Sequence, residues 1–569
     1  MYGAICRNRR AFGQFQTNPR KSSGRIGYRH TKTHASRSRK SRKIPLCFKA
    51  LCTHSKNIIK IKKRKLSMKK KSVISVDLGA SSGRVILLTL LDNTLHLEEV
   101  HRFSNEGIHI QDRIYTDLFY LFQEILTGLQ KVFRITDSAE AFGIDTWGVD
   151  FALLDGEDEC IAPPYQYRDA QAKGMIQKAV LLFKKGGLFS LTGVQDMWYN
   201  TVYQILGIQR RNPRIFENAH VFLMLADVLG YFFTGQKSLE YTSLSTTQLY
   251  DLAHQQLCPE ILMKLHLSPS LFPEIVMTGT HKGDVLPQIK RQIGISSSQK
   301  LSLIATAQHD SASAAHAVPA EDPHYIFINS GTWSIIGMVT DQPVITDTVY
   351  QNGFSNEGAA FGKVKLVKTI MGMWLIQELR RYWKRNGLPN DYATLLKAAD
   401  EASAFACLID PDDSLFASPE NMEAAINQYC IKTKQPPLTR PGEFYRAVME
   451  SLAFKYRESI EKLEQITGHK TDTVHLLGGA SQDKAFCQYI ANATGKTVAA
   501  GPIEATAIGN ALIQFRSLGY IENEKEAARL LKNSFSITEY YPQERPLWEE
   551  QYQRYQKVTA LCHVRKTVL

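Results

Sequence analysis

The chain has 569 residues, 44% of them hydrophobic and 22% charged, too long for one core and consistent with roughly two to four domains. Its formal charge of +14 is concentrated at one end: residues 1–67 carry 20 Lys and Arg and no Asp or Glu, and taking those 20 from the total of 69 leaves 49 basic against 55 acidic residues, a net of −6 for 68–569. That remainder is an ordinary, mildly acidic body, and no nucleic-acid or membrane partner is expected of it.

In chain order, the basic stretch RKSSGRIGYRHTKTHASRSRKSRK lacks apolar periodicity and is expected to be disordered by charge repulsion. Residues 1–67 admit three readings: a nucleic-acid-binding arm, a transit peptide without its amphipathic helix, or an over-long start before a natural Met68. Initiation at Met68 is the one expected, because it puts the first strand at the N-terminus. No secretory signal is apparent, since IPLCFKALC (44–52) is broken by Lys49. Nine Cys are scattered without CxxC spacing, which argues against zinc or a disulfide framework and for a reducing cytoplasm.

Strand-like runs at 73–76, 85–91 and 95–103 precede a helical pattern at 117–133, whose Leu118, Leu121, Phe122, Ile125, Leu129 and Phe133 share one face. A further strand, AFGIDTWGVDFALLD (141–155), completes an α/β start. Residues 171–300 read as mostly helical and inserted or lid-like; within them HVFLMLADVLGYFF (220–233), too short for a membrane span and carrying Asp227, reads as a buried helix. The pattern restarts near 318. Pro-, Asn- and Asp-rich loops occupy 385–440, a long helix starts near Gly442, and a helix of small residues, EATAIGNALIQ (504–514), closes the second half.

Three glycine-centred segments carry most of the functional signal: DLGASSGR (77–84), NSGTW (329–333) and LLGGASQD (476–483), each after a short apolar strand. Glycine lets backbone N–H groups approach an anion closely, and Ser81, Ser82, Ser330 and Thr332 add hydroxyl donors. VISVDLGASSGRVILLTL and YIFINSGTWSIIGMVT both run strand, glycine turn, strand, so a duplicated α/β domain with one phosphate-binding hairpin per copy is expected. A nucleotide triphosphate held between two lobes follows from the three loops together.

QHDSASA (308–314) follows the apolar run LSLIATA and places Asp310 at a strand-to-helix turn, where ligands of α/β folds bind. Opposite phosphate loops, that carboxylate suits a general base taking a proton from a substrate hydroxyl; by itself the segment reads more readily as an N-cap for a helix starting at Ser311. Asp77 reads either as an orderer of Mg²⁺ and its waters or as turn chemistry, and Arg84 as a phosphate partner or an exposed strand residue. GIDTWGVDF (143–151) sets two carboxylates and an indole around Gly148, and YQYRD (165–169) and HRF (101–103) add polar and aromatic groups, which suits a polyol pocket; Trp147 as plain core remains open. No His pairing has metal-ligand spacing, and no structural metal is expected.

The segments VDLGASSGRV, HRF, GIDTWGVDF, YRD, EYTSLSTTQL, QHDSASA, SGTWS, IMGMWLIQ, LLGGASQD and AGPIEATAIGN, in this order from about 72 to 545, resemble the FGGY family of carbohydrate kinases. The resemblance implies two ribonuclease-H-like (actin-like ATPase) domains with the active site in the cleft between them: 68–315 sugar-binding and 316–545 nucleotide-binding, followed by a C-terminal tail at 546–569. It implies ATP and Mg²⁺ as cofactors and, within the family, L-rhamnulose as the sugar phosphorylated at its 1-hydroxyl. Carried over by position, it implies Asp310 as the proton acceptor. Ala80, Ser81, Ser82, Gly83 and Arg84, with Thr332, Gln377 and Gly479, would meet the nucleotide, and Gly148, His309, Asp310, Ser311 and Thr369 the sugar, with Asp77 reaching Mg²⁺ through water. Three positions depart from the pattern: Thr369 stands where a substrate-binding Asn is expected, Ala480 replaces a Gly, and Ser311 replaces a Thr while keeping the hydroxyl. Another ketose or polyol, such as fuculose or xylulose, or an ATP-dependent clamp without catalysis, are the alternatives.

Overall fold

The computed structural model describes residues 70–563; the expectations for residues 1–67 lie outside the described residues. VISV and its neighbours form a strand, Lys71–Leu78, buried at every position after the first, as a strand covered on both faces must be. It turns back at Gly79–Ser81 into Ser82–Leu91, and then into Thr94–Ser104. Ala139–Thr146 and Ser302–Ile304 add on the other side, each parallel to its inner neighbour, and His281–Asp284 closes that edge antiparallel.

The second sheet repeats this plan. Ile326–Ser330 turns into Trp333–Thr340 and pairs on with Val364–Met371; Thr473–Leu477 and Thr497–Ala500 add parallel on the other side, and Thr538–Tyr540 closes antiparallel. Six strands in each lobe thus share one order and one set of directions. The second sheet has one more, Ser355–Gly358, on the edge of Val364–Met371. The duplication read from the two hairpins extends to the whole sheet.

Helices cover both sheets. Leu118–Ile135, capped by the Asp117 carboxylate on the Tyr120 N–H, lays Leu118, Leu121, Ile125 and Leu129 against the first sheet, while Phe122 and Phe133 are only half-buried at the margin. Pro441–Thr467 buries Phe444, Val448, Leu452, Tyr456, Ile460 and Leu463 against the second. Between the lobes lies a close helix pair, Asp310–His316 and Ala505–Ser517. A Cβ on Gly509 would stand 1.8 Å from the Ser313 carbonyl oxygen, so the small residues of EATAIGNALIQ are dictated by backbone-to-backbone approach.

Several expectations need correction. The single strand expected at 141–155 is two, Ala139–Thr146 and Phe151–Leu154, because Val149 adopts φ 71° and breaks the extended chain. The apolar run 220–233 is a strand, Val221–Met224, followed by the helix Leu225–Thr234; its Asp227 is buried and salt-bridged to buried Lys282 at 2.5 Å. Residues 171–300 are not a separate insertion, since their side chains are continuous with the first-lobe core and His281–Asp284 is an edge strand of its sheet. The stretch set aside as a tail begins with most of the helix Arg545–His563, whose Trp548, Tyr552 and Tyr555 are buried in the second-lobe core. Cys407 and Cys430 form a disulfide, a pairing that spacing alone does not reveal. Among the described residues no helix is long and apolar enough to cross a membrane.

Candidate active site

The parallel strands of the first sheet end side by side, and so do their acids. Asp77 and Asp145 are register partners on neighbouring strands, and the next strand leads through Ala305–His309 into the helix that opens with Asp310. Asp145 is fully buried; its Oδ2 accepts from Asn510 Nδ2 at 2.5 Å, and its Oδ1 has no hydrogen-bond partner. Burial and the nearby Asp77 hold its carboxyl well above the usual carboxylate range. Asp77 too is raised by burial, although Arg84 pulls the other way.

Asp310 is the acid that reaches open space. His309, not Asp310, holds the N-cap position; Asp310 Oδ1 accepts from the adjacent Ser311 N–H at 2.6 Å and lies 3.6 Å from His309 Nε2. The capping alternative is therefore not what the side chain does. Burial first and Asp77 second push its carboxyl up to about 7, the range in which a group exchanges protons at neutral pH.

Asp310 opens into a cavity of about 560 Å³. First-lobe residues form one wall: Ala80, Ser81, Trp147, Gly148, Tyr167, Asn200 and His309. Thr332, Trp333, Glu357, Thr369, Trp374 and Gln377 of the second lobe form the other. Polar groups thus converge from both lobes on a space suited to a small polyol and the end of a phosphate chain.

Buried props hold this wall. Trp147 Nε1 donates to Asp150 at 2.8 Å, and burial pushes the Asp150 carboxyl up to about 7. The two carboxylates of GIDTWGVDF therefore sit behind the pocket rather than in it. Val149, a β-branched residue at positive φ, is an unfavourable conformer. It is held by Thr246 Oγ1 on its N–H at 3.0 Å and by Thr201 Oγ1 and Gln204 Nε2 on its carbonyl.

The EYTSLSTTQL segment serves the other side as well. Glu240 accepts the Gln308 N–H at 3.3 Å, and Thr242 Oγ1 the His309 N–H at 3.2 Å, fixing the turn that carries Asp310. His309 lies 3.4 Å from Glu357, which is ion-paired with fully buried Lys365. Burial first and Lys365 second lower the His309 imidazole to about 3, so it stays neutral at neutral pH. Neither Glu357 nor Lys365 is singled out by the sequence; each lies roughly fifty residues from His309 without a motif around it.

In the second lobe IMGMWLIQ has a mechanical reading. A Cβ on Gly372 would meet Ser334 Oγ at 2.3 Å. This close approach lets the Met373 and Trp374 N–H groups bond the Gly331 and Thr332 carbonyls at 3.0 and 3.1 Å. Helix Trp374–Arg385 then presents Gln377, whose Nε2 donates to Thr332 Oγ1 at 3.1 Å. Thr369 lies on this same wall.

A second cavity of about 320 Å³ shares Asn329 and Gly331 with the first and is lined by Arg84, Arg102, Gly478, Gly479, Glu504 and Thr506. A Cβ on Gly479 would meet nothing within 4 Å, so this glycine leaves its backbone open to a ligand. Arg102 of HRF belongs here, not to the polyol pocket. Four of the residues the sequence names line neither cavity. Gly83 is a glycine because a Cβ would stand 2.2 Å from the Phe103 ring, and it lines neither cavity. Ser82 lines neither and closes the turn, its carbonyl accepting from Gly79 N at 3.0 Å. Ser311 is fully buried, with its Oγ 3.2 Å from the His309 ring. Asp77 is buried against Arg84 at 2.5 Å and lines neither cavity.

Residues 72–316 match the FGGY family of carbohydrate kinases, N-terminal domain, and residues 326–518 its C-terminal domain. A rhamnulokinase of Bacteroides thetaiotaomicron is 37% identical over 85% of this chain and 98% of its own length, and one of Enterococcus faecalis 36% identical over 88% and 100%. Among solved structures, a ligand-bound xylulose kinase from Lactobacillus acidophilus superposes with a TM-score of 0.74 at 17% identity, covering 88% of this chain and 98% of that one. Plasmodium falciparum glycerol kinase with ADP gives 0.70 at 15%, covering 88% and 99%. With two paired lobes, a carboxylate in the cleft and glycine turns facing it, the chain belongs to the FGGY family of carbohydrate kinases.

Proposed function

We propose that the protein phosphorylates L-rhamnulose at its 1-hydroxyl with ATP, using Asp310 as the general base. The observation that carries the reading is Asp310 itself, a carboxylate raised to about 7 at the junction of a polyol-sized cavity and the glycine turns. The choice of sugar rests on rhamnulokinases 33–37% identical over most of this chain.

The ketose would occupy the large cavity, with Gly148 and His309 around it and its hydroxyl on Asp310. Ala80 and Ser81, Thr332 and Gln377 would line the path of the phosphates, and Gly479 and Arg84 the adjoining cavity. As the sugar oxygen forms its bond to the γ-phosphorus, the bond from that phosphorus to the β–γ bridging oxygen breaks. ADP leaves with the electron pair, and the hydroxyl proton passes to Asp310. In this reading 68–315 is the sugar domain and 316–545 the nucleotide domain, and the reaction takes place in the cytoplasm, where ATP is supplied.

The acids fit a hydrated magnesium ion. Among the described residues no three or more His, Cys, Asp or Glu are arranged to hold a bare metal, yet Asp145 Oδ1 is a buried acceptor without a partner beside Asp77. Asp77, with Asp145 behind it, would hold such an ion through water, and bound there it would neutralise charge on the β- and γ-phosphates.

ADP release measured with L-rhamnulose, L-fuculose, D-xylulose and glycerol tests the reading. Turnover selective for L-rhamnulose is expected; selectivity for another ketose would replace the substrate. Sugar-independent ATP hydrolysis that Asp310→Asn leaves untouched would end the kinase mechanism.

A further inference from the structure

Arg84 is held by two carboxylates of unlike character. Its Nη2 lies 2.5 Å from Asp77, whose side chain is 4% exposed, and its Nη1 is ion-paired with Glu504, 28% exposed. Asp77 is a register partner of Arg84 on the same hairpin, so that pair belongs to the fold of the first lobe. Glu504 comes from 420 residues away, at the N-cap position of helix Ala505–Ser517, and makes no side-chain bond to its own helix. It has left the place where its charge would satisfy helix N–H groups and reaches across to the first lobe instead.

This pair sits on the wall of the smaller cavity, with Arg102 and the Gly478–Gly479 turn. A guanidinium, a helix N-terminus and an open glycine turn together form an anion site. The chain's own anion already stands on it, and Arg84 Nε is buried without a hydrogen-bond partner. Glu504 thus occupies the side of Arg84 that faces the cavity, and a phosphate must displace it to pair with that guanidinium.

We propose that Glu504 is an internal stand-in for phosphate: it holds Arg84 in place while the nucleotide is absent and is exchanged for a phosphate oxygen when the nucleotide binds. Asp77 remains as the fixed partner throughout. Glu504 is thus a positioning residue that sets nucleotide affinity and release, not the chemical step. The inference rests on the proposed reading of the smaller cavity as a phosphate site.

The test is calorimetric binding of ATP and ADP to the full chain and to Glu504→Gln, Glu504→Asp, Arg84→Ala and the Arg84→Ala/Glu504→Gln double variant. Glu504→Gln removes the competing charge at nearly constant shape, so ATP and ADP should bind about two- to fivefold more tightly. The KM for ATP should fall with it while the KM for sugar holds, and ADP release should slow. Glu504→Asp, which keeps the charge, should stay close to the parent. In the Arg84→Ala background the gain from Glu504→Gln should vanish, since nothing is left to compete for. Unchanged or weaker nucleotide binding by a folded Glu504→Gln, with the parent binding normally, overturns the inference alone. Absence of nucleotide binding by the parent chain overturns both it and the phosphate reading of the cavity.

Discussion

The two sheets share strand order and direction, yet their parallel strands finish in different chemistry. In the first lobe they end at Asp77, Asp145 and, through a short turn, Asp310; in the second they end at Asn329–Ser330, Leu477–Gly478 and Ala500–Gly501. One copy of the plan presents charge, the other neutral amide, hydroxyl and bare backbone. A duplicated frame can therefore divide its chemistry without altering topology: carboxylates end one set of strands, and amide, hydroxyl and bare backbone end the other.

The strongest way to break this comparison is to neutralise the acid lobe at one atom. Asp310→Asn should lower kcat by about 10²- to 10⁴-fold while ATP binding, measured by calorimetry, stays within about twofold. A comparable loss in ATP affinity would show that the acid side also holds the nucleotide.

Next in size is the contact joining the lobes. Gly509→Ala puts a methyl where the Ser313 carbonyl oxygen stands and should cost about 3 kcal/mol in urea unfolding. Gly479→Ala, in open space, should leave stability within about 0.5 kcal/mol and weaken ATP binding instead. Equal destabilisation by the two would erase the distinction between a packing glycine and a ligand glycine.

That distinction marks the limit of what could be read from sequence. Gly83 stands in the same short DLGASSGR segment as the turn, and nothing local separates it from a ligand glycine; its reason is the distant Phe103 ring. The hairpins, the long helices and the position of Asp310 were legible because local patterning and turn chemistry encode them. Asp145 on Asn510, 365 residues away, and the His309–Glu357–Lys365 group were not, since no local pattern records which distant partner a buried charge will find. The break at Val149 was hidden for a related reason: a β-branched residue at positive φ runs against local preference and exists only because Thr246, Thr201 and Gln204 hold it.

A pH profile tests the acid lobe more finely. Asp310 must be ionised to accept a proton, so kcat/KM should rise with pH through about 7 and then level, with neutral His309 adding no second limb near pH 6. The same raised value has a stability consequence. Its carboxyl is raised in the folded state, so the contribution is full below the ordinary carboxylate range and is lost as pH climbs through about 7. Asp310→Asn should therefore raise the Tm relative to the parent at pH 8, and the gain should shrink towards pH 4. A lower Tm at both would make Asp310 a structural residue.

The smallest expected effect concerns Thr369. The sequence places it with the sugar; its register partner is Ile335, and it shares its wall of the cavity with Thr332, Gln377 and Glu357. Thr369→Asn should shift the KM for ATP by about two- to fivefold, the size of one hydrogen bond, and leave the ranking of ketoses unchanged. A reordered ranking would return Thr369 to the sugar side.

Helix Ala505–Ser517 follows a strand of the second sheet, yet its Asn510 donates to Asp145 and to the Gly143 carbonyl, and its Gln514 to the Ile74 carbonyl, all in the first. With Gly509 seated on the helix that begins at Asp310, the helix acts as a rivet through both halves. Any opening of the cleft must swing about that rivet, and points near a pivot travel least. Asp310 is mounted beside that pin, the place such a swing would displace least.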